Sequence, residues 1–224
     1  MPYTFTNALL QHLRESTTTE EEKRQIKDGL DFYLENWTSL PPGQHAALAA
    51  VGRTMLRLAD SMIRKGKKAQ GMKEVITCRE GCAHCCRQAV GLSLPEAAVL
   101  VEAVRARQIP IDRAKLTRQA TLTDSDDWTR LPADERACVF LGTDNRCQVY
   151  DERPLACRKY FSIGPPELCN IDAHPGGEVQ IWFDMNAEIL STANMTHWGS
   201  ETLPRLLLEL LPTKEVPNGE ADQC

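Results

Sequence analysis

Apolar residues return at helical spacing over most of this 224-residue chain. After Ser16-Thr17-Thr18-Thr19, the Thr19 hydroxyl and the Glu22 carboxylate make a capping box, and Ile26, Leu30, Tyr33 and Trp37 follow on one helical face. Pro41-Pro42-Gly43 interrupts the pattern. Leu48, Val51, Met55, Leu58 and Met62 then predict a second amphipathic helix to about Arg64, and both stripes read as core. Ser93-Leu94-Pro95-Glu96 is a second capping signature, with Ser93 as cap, Pro95 in the first turn and Glu96 reaching back; it opens a helix to about Ala106. A shorter helix is predicted from Asp112 to about Leu122, before the acidic loop Asp124-Ser125-Asp126-Asp127. Val179 to Phe183 is the one β-prone run. Asn186 to Asn194 and Glu201 to Leu211 are helical again, and the polar end of the chain is expected to be disordered.

These elements predict a mainly α fold: a helical scaffold around an irregular, metal-organised cysteine-rich centre with little β. Three regions are expected, a helical 1–72, a cysteine-cluster domain 73–175, and C-terminal helices with a tail over 176–224. The chain is long enough to bury a core of its own, so metal is not required merely to rescue a tiny fold. With 42% hydrophobic and 25% charged residues it does not read as a disordered protein. A net charge of −5 argues against broad binding to a phosphate backbone, so no nucleic-acid partner is expected. A basic cluster, Arg64, Lys65, Lys67, Lys68 and Lys73, reads as a solvated helix end, where cations are favoured.

No run of about 18 apolar residues exists, and no membrane partner is expected. Met1-Pro2-Tyr3-Thr4-Phe5 lacks a signal-peptide pattern, which predicts a cytoplasmic location. That expectation governs the nine cysteines, because clustered thiols in a reducing compartment bind metal or do redox chemistry more often than they form disulfides. Eight of them fall between Cys78 and Cys169.

The first group, Cys78, Cys82, Cys85 and Cys86, is a C-x3-C-x2-C-C run in which Gly81 gives the turn its freedom. Side chains of neighbouring residues diverge, so Cys85 and Cys86 are expected to face different directions. The second group is Cys138, Cys147, Cys157 and Cys169, spaced for loops that fold back on the first; Pro154 is placed to start a short helix presenting Cys157. So many thiolates need compensating charge, for which Arg79, Arg87, Arg146, Arg153, Arg158 and Lys159 are the neighbouring candidates. His84 is expected to support the site rather than ligate. His12, His45, His174 and His197 have no ligand-like spacing, and Cys224 reads as a tail thiol.

Cys78-x3-Cys82-x2-Cys85-Cys86, Cys138-x-Phe140-Leu141 and Cys147-x-Val149-Tyr150-x2-Arg153-Pro154-x2-Cys157-Arg158 together resemble the CxxCxxCC (YkgJ-like) cysteine-cluster family. The resemblance covers about Cys78 to Cys169 and implies a zinc- or iron-chelating domain. All-sulfur coordination suits zinc and iron–sulfur clusters alike; an iron–sulfur cluster is favoured over zinc because the thiolates outnumber what one zinc ion needs. The leading expectation is a metal-binding protein, structural or in metal handling, whose helices offer a surface to a protein partner. The same cysteine pattern in flagellin lysine N-methylase implies an alternative, an Fe–S-dependent enzyme, although no glycine-rich methyltransferase loop is present. Cys78-x3-Cys82-x2-Cys85 also has the spacing of radical S-adenosylmethionine enzymes, but the strand and helix alternation of their barrel is missing. A thiol redox protein is the third reading.

Overall fold

The computed structural model describes residues 19–36, 45–122, 125–174 and 178–211. The predicted break at Pro41-Pro42-Gly43, Asp124 of the acidic loop, and the tail with Cys224 lie outside the described residues, as do Trp37, His12 and the side chains of Glu22, Leu30, Tyr33 and His45. The chain is mainly helical, 59% helix against 7% strand. Nine helices are described: α1 (Glu20–Asn36), α2 (His45–Ala69), α3 (Leu94–Arg107), α4 (Arg113–Ala120), α5 (Ser125–Arg130), α6 (Ala133–Arg136), α7 (Leu155–Arg158), α8 (Met185–Trp198) and α9 (Leu203–Leu210). Two antiparallel pairs complete the described residues. Strand β1 (Gly91–Leu92) pairs with β4 (Glu201–Thr202), and β2 (Tyr160–Ser162) with β3 (Ile181–Phe183), Phe161 opposite Trp182.

Helix α3 is the axle of the fold. Its residues Ala97, Leu100, Val101 and Val104 join Leu116 of α4, Leu203, Leu206 and Leu207 of α9, and Phe140 and Val149 in one core. Its Ala98 and Val99 join Leu48, Ala49, Leu56, Ala59 and Ile63 of α2, Ala187 and Leu190 of α8, and Leu155 in a second. Burial on several sides explains why α3 and α8 lack a single apolar stripe, and each fully buried aliphatic side chain contributes about 1.5–3 kcal/mol.

The face that α2 presents overlaps the predicted stripe in part. Leu48 and Met55 are buried and Met62 packs against the core, but Leu58 is exposed, and the contact with the core also runs along Ala49, Gly52, Leu56, Ala59 and Ile63. Small residues decide this, because a Cβ on Gly52 would stand 2.4 Å from the Pro95 carbonyl oxygen and 2.7 Å from Val99 Cγ2. Only glycine lets the two helices approach this closely. The helix also continues to Ala69, past the predicted end near Arg64.

The capping box at Ser93 and Glu96 is present and does more than end a helix. Glu96 is 1% exposed, and its Oε2 accepts from Ser93 N (2.9 Å), Ser93 Oγ (2.7 Å) and Asn194 Nδ2 of α8 (2.9 Å). Its Oε1 accepts from Leu155 N at 2.8 Å, which fixes the start of α7. Asp112, where the shorter helix was predicted to begin, caps α4 by accepting from Lys115 N. Lys159 and Glu188, 1% and 3% exposed, form a buried ion pair of 2.8 Å between the end of α7 and α8.

Candidate metal centre

The first cysteine run is hung on strand β2. Thr77 donates from N and Oγ to Ser162 O at 2.9 and 3.1 Å, and from Oγ to Gly164 O at 2.7 Å, which brings Cys78 beside the strand. There Ser162 N donates to Cys78 Sγ at 3.0 Å. The chain then turns through Gly81, whose φ of 85° is the left-handed conformation that side chains resist, and Cys82 N closes the turn on Arg79 O. A 3-10 turn, His84–Arg87, presents Cys85 and Cys86, anchored by buried Ala83 and by Trp128 Nε1 donating to Arg87 O.

The second group is tied to the first through the backbone, Cys138 N donating to Cys86 O at 2.8 Å. Cys138 and Cys147 are the two ends of a tight hairpin in which Gly142 N donates to Arg146 O, Gln148 N to Phe140 O, and Leu141 bridges Cys147. Phe140 and Val149, each 1% exposed, sit in the core, and the cysteines two residues earlier, Cys138 and Cys147, are partly buried against it. The same two amides, Phe140 N–H and Val149 N–H, donate to the sulfurs of Cys138 and Cys147. Pro154 caps α7, and fully buried Leu155 fixes the turn that carries Cys157. Cys169 ends the 3-10 turn Pro166–Cys169, which packs on the turn holding Cys85 and Cys86, and its thiol receives a hydrogen bond from the Ser162 side chain.

Electrostatic influence among the thiols divides them into two neighbourhoods. Cys78 responds to Cys82, Cys85 and Cys169, and Cys169 to Cys82 and Cys85. Cys157 responds to Cys138, Cys85 and Cys147, and Cys86 to Cys85, Cys138 and Cys157. Cys85 stands on the border. Burial pushes the thiols of Cys78, Cys147, Cys157 and Cys169 up, and that of Cys138 up to about 12. Cys85 is brought down to about 6, first by a hydrogen bond from the Cys86 thiol, with Arg153 also lowering it; Cys86, the donor, is pushed up.

Cys85, the more exposed of the two, and Cys86 thus act on one another through their thiols. They sit in a 3-10 turn, where the backbone is tighter than in an α-helix or strand. All eight cysteines are free thiols. Among the described residues, no three or more His, Cys, Asp or Glu side chains are already arranged to hold a metal ion.

Charge compensation also differs from expectation. Arg158 holds both oxygens of Asp60 at 2.7 and 2.8 Å, and Lys159 is engaged with Glu188, so both serve the framework. Arg153, stacked 3.9 Å over Tyr150, acts on Cys85, Cys147 and Cys157. Lys67 on α2 and Lys115 on α4 lie in the field of Cys78 and Cys138 respectively, and both escaped the sequence reading because they are far from any cysteine in the chain. Arg136 was missed as well. It is 1% exposed, pairs with Asp172 three residues beyond Cys169, and sits on α6 against the Cys85–Cys86 turn, yet its Nε and Nη1 have no partner among the described residues. A buried guanidinium with two donors unmet, at the junction of both thiol groups, fits a centre that carries negative charge when loaded. The donor chemistry agrees, since soft thiolates with amide N–H groups directed at sulfur suit zinc and iron.

Residues 77–177 match the family model CxxCxxCC, Putative zinc- or iron-chelating domain. Over these residues the chain is similar to that family. The matched stretch contains all eight clustered cysteines together with Arg136, Arg153 and the hairpin, whereas α1, α2, α8 and α9 lie outside it. No curated protein and no solved structure matches the chain. The helices that pack around the matched segment contain none long and apolar enough to cross a membrane, among the described residues.

Proposed function

We propose that the segment similar to the CxxCxxCC family chelates metal through two four-thiolate sets, Cys78, Cys82, Cys85 and Cys169 in one, and Cys86, Cys138, Cys147 and Cys157 in the other. The observation that carries this reading is the division of the thiols into two neighbourhoods that meet at Cys85 and Cys86. Four sulfurs per set are what a tetrahedral zinc ion or an iron–sulfur cluster requires. Iron–sulfur is favoured, and the role is structural or in metal handling. The raised thiols lose protons on ligation, so binding tightens as pH rises.

Anaerobic purification followed by iron, zinc and acid-labile sulfide analysis with an absorption spectrum tests this. The reading expects iron and sulfide in similar amounts with broad visible absorption. Colourless protein holding stoichiometric zinc and no sulfide would keep the two sets and reverse the choice of metal. Metal-free protein with reversible disulfides would favour a thiol redox protein instead. Cys82→Ser separates these further, because a metal site loses metal and stability together and a redox pair stays folded.

A further inference from the structure

An open cavity of about 850 Å³ lies against the cysteine centre, within the size range of small-molecule sites, and its wall concentrates cations in a chain of net charge −5. Arg64, Lys67 and Lys68 reach it from the end of α2, Lys73 from the turn that follows, and Arg153 from the loop before α7; Cys78 is part of the same wall. Arg158 and Asp60 also line it but are engaged with each other, which leaves Glu74 as the acid facing five cations. The carboxyl end of a helix accounts for Lys67 and Lys68. It does not account for Lys73 and Arg153, which different segments bring to the same concavity.

Arg64, Lys68 and Lys73 are exposed and take part in no described ion pair among the described residues. The cations that act on the thiols are others, Arg153, Lys67 and Lys115, so neutralising the cysteine centre does not explain these three. Lys67 is held 3.3 Å over the Phe161 ring and Arg153 over Tyr150, so two of the five are fixed by aromatic faces and directed along the wall. Like charges gathered in a concavity repel one another and focus their field on an incoming anion.

We infer that this cavity binds a small polyanion, a molecule bearing two or more phosphate or carboxylate groups, with its charge on Arg64, Lys67, Lys68 and Lys73 and its other end against Cys78. The anion site stands on the cations alone; its position at the edge of a metal centre rests on the proposed function. Titration of the full-length chain with inorganic pyrophosphate and with citrate, at fixed ionic strength, tests it and separates the two anion chemistries. Three proteins are compared: the unaltered chain, Lys68→Glu with Lys73→Glu, and a charge-matched control, Lys23→Glu with Arg24→Glu on α1, which lines no part of the cavity.

The expected result is saturable binding of one equivalent of at least one probe, weakened about tenfold or more by the cavity variant and less than about twofold by the control, with metal content the same in all three. Absence of saturable binding, or equal weakening in the two variants, would overturn the inference. So would a cavity variant that loses metal and keeps its affinity. Metal-free protein that still binds through Lys68 and Lys73 would remove the metal reading and leave this one standing.

Discussion

The helical framework and the cysteine centre are stabilised by opposite means. In α2, α3, α8 and α9, aliphatic side chains are buried along whole helices, and the polar groups taken inside, Glu96 with Ser93 and Asn194, Lys159 with Glu188, are bound to one another. From Cys78 to Val90 the one buried residue is Ala83, and the chain is held by single hydrogen bonds closing short turns. Ordinary packing suffices for the first region. The second has too little apolar burial to offset the entropy of fixing its backbone, which makes it the part a ligand would have to complete.

Removing metal should therefore break the comparison most visibly. After chelation, or in Cys138→Ser, hydrogen exchange is expected to lose more than about 4 kcal/mol of protection over residues 78–90, and less than about 1 kcal/mol in α3 and α8. Uniform loss across both regions would show that the framework also depends on the centre. Next in size is Glu96→Ala, which leaves Ser93 N, Ser93 Oγ and Leu155 N buried without their acceptor and Asn194 Nδ2 with Ser93 Oγ alone. Several unmet donors at about 1–3 kcal/mol each put the expected loss near 4 kcal/mol in denaturant unfolding, and a loss under about 1 kcal/mol would refute that account.

Gly52→Ala follows, expected to cost about 2–3 kcal/mol in the same assay by forcing α2 off Pro95 and Val99. A neutral result would mean that the helices slide apart freely. Smallest is Gln108→Gly at the end of α3, where Gln108 holds φ 51° and ψ 42°. Relief of this left-handed backbone should stabilise the framework by about 0.5–1 kcal/mol, seen as a higher melting temperature; an unchanged or lower one would contradict it.

The two regions also differed in how much of them the sequence disclosed. Helix caps are local chemistry, and Ser93, Asp112 and Pro154 each start the element predicted for them. Helices α5 and α6 and strand β2 were not foreseen, because each is a few residues long and held by neighbours distant in the chain. On α2 the stripe was read in part, with Leu48 and Met55 buried and Leu58 exposed, and Ala49, Gly52 and Ala59 escaped it because they contribute closeness rather than hydrophobic bulk.

In the centre, spacing identified the cysteines and the helix that carries Cys157, but which thiols are neighbours depends on the hairpin and on the return through Ser162. The same holds for charge: Arg158 and Lys159 adjoin Cys157 in sequence and point into the framework, while Lys67, Lys115 and Arg136 come from elsewhere.

X-ray absorption at the edge of whichever metal the anaerobically purified chain retains tests the central claim, that thiolate sulfur supplies the donor atoms. A first shell made of sulfur alone at about 2.3 Å is the expected result. A shell dominated by nitrogen or oxygen at about 2.0–2.1 Å would contradict it.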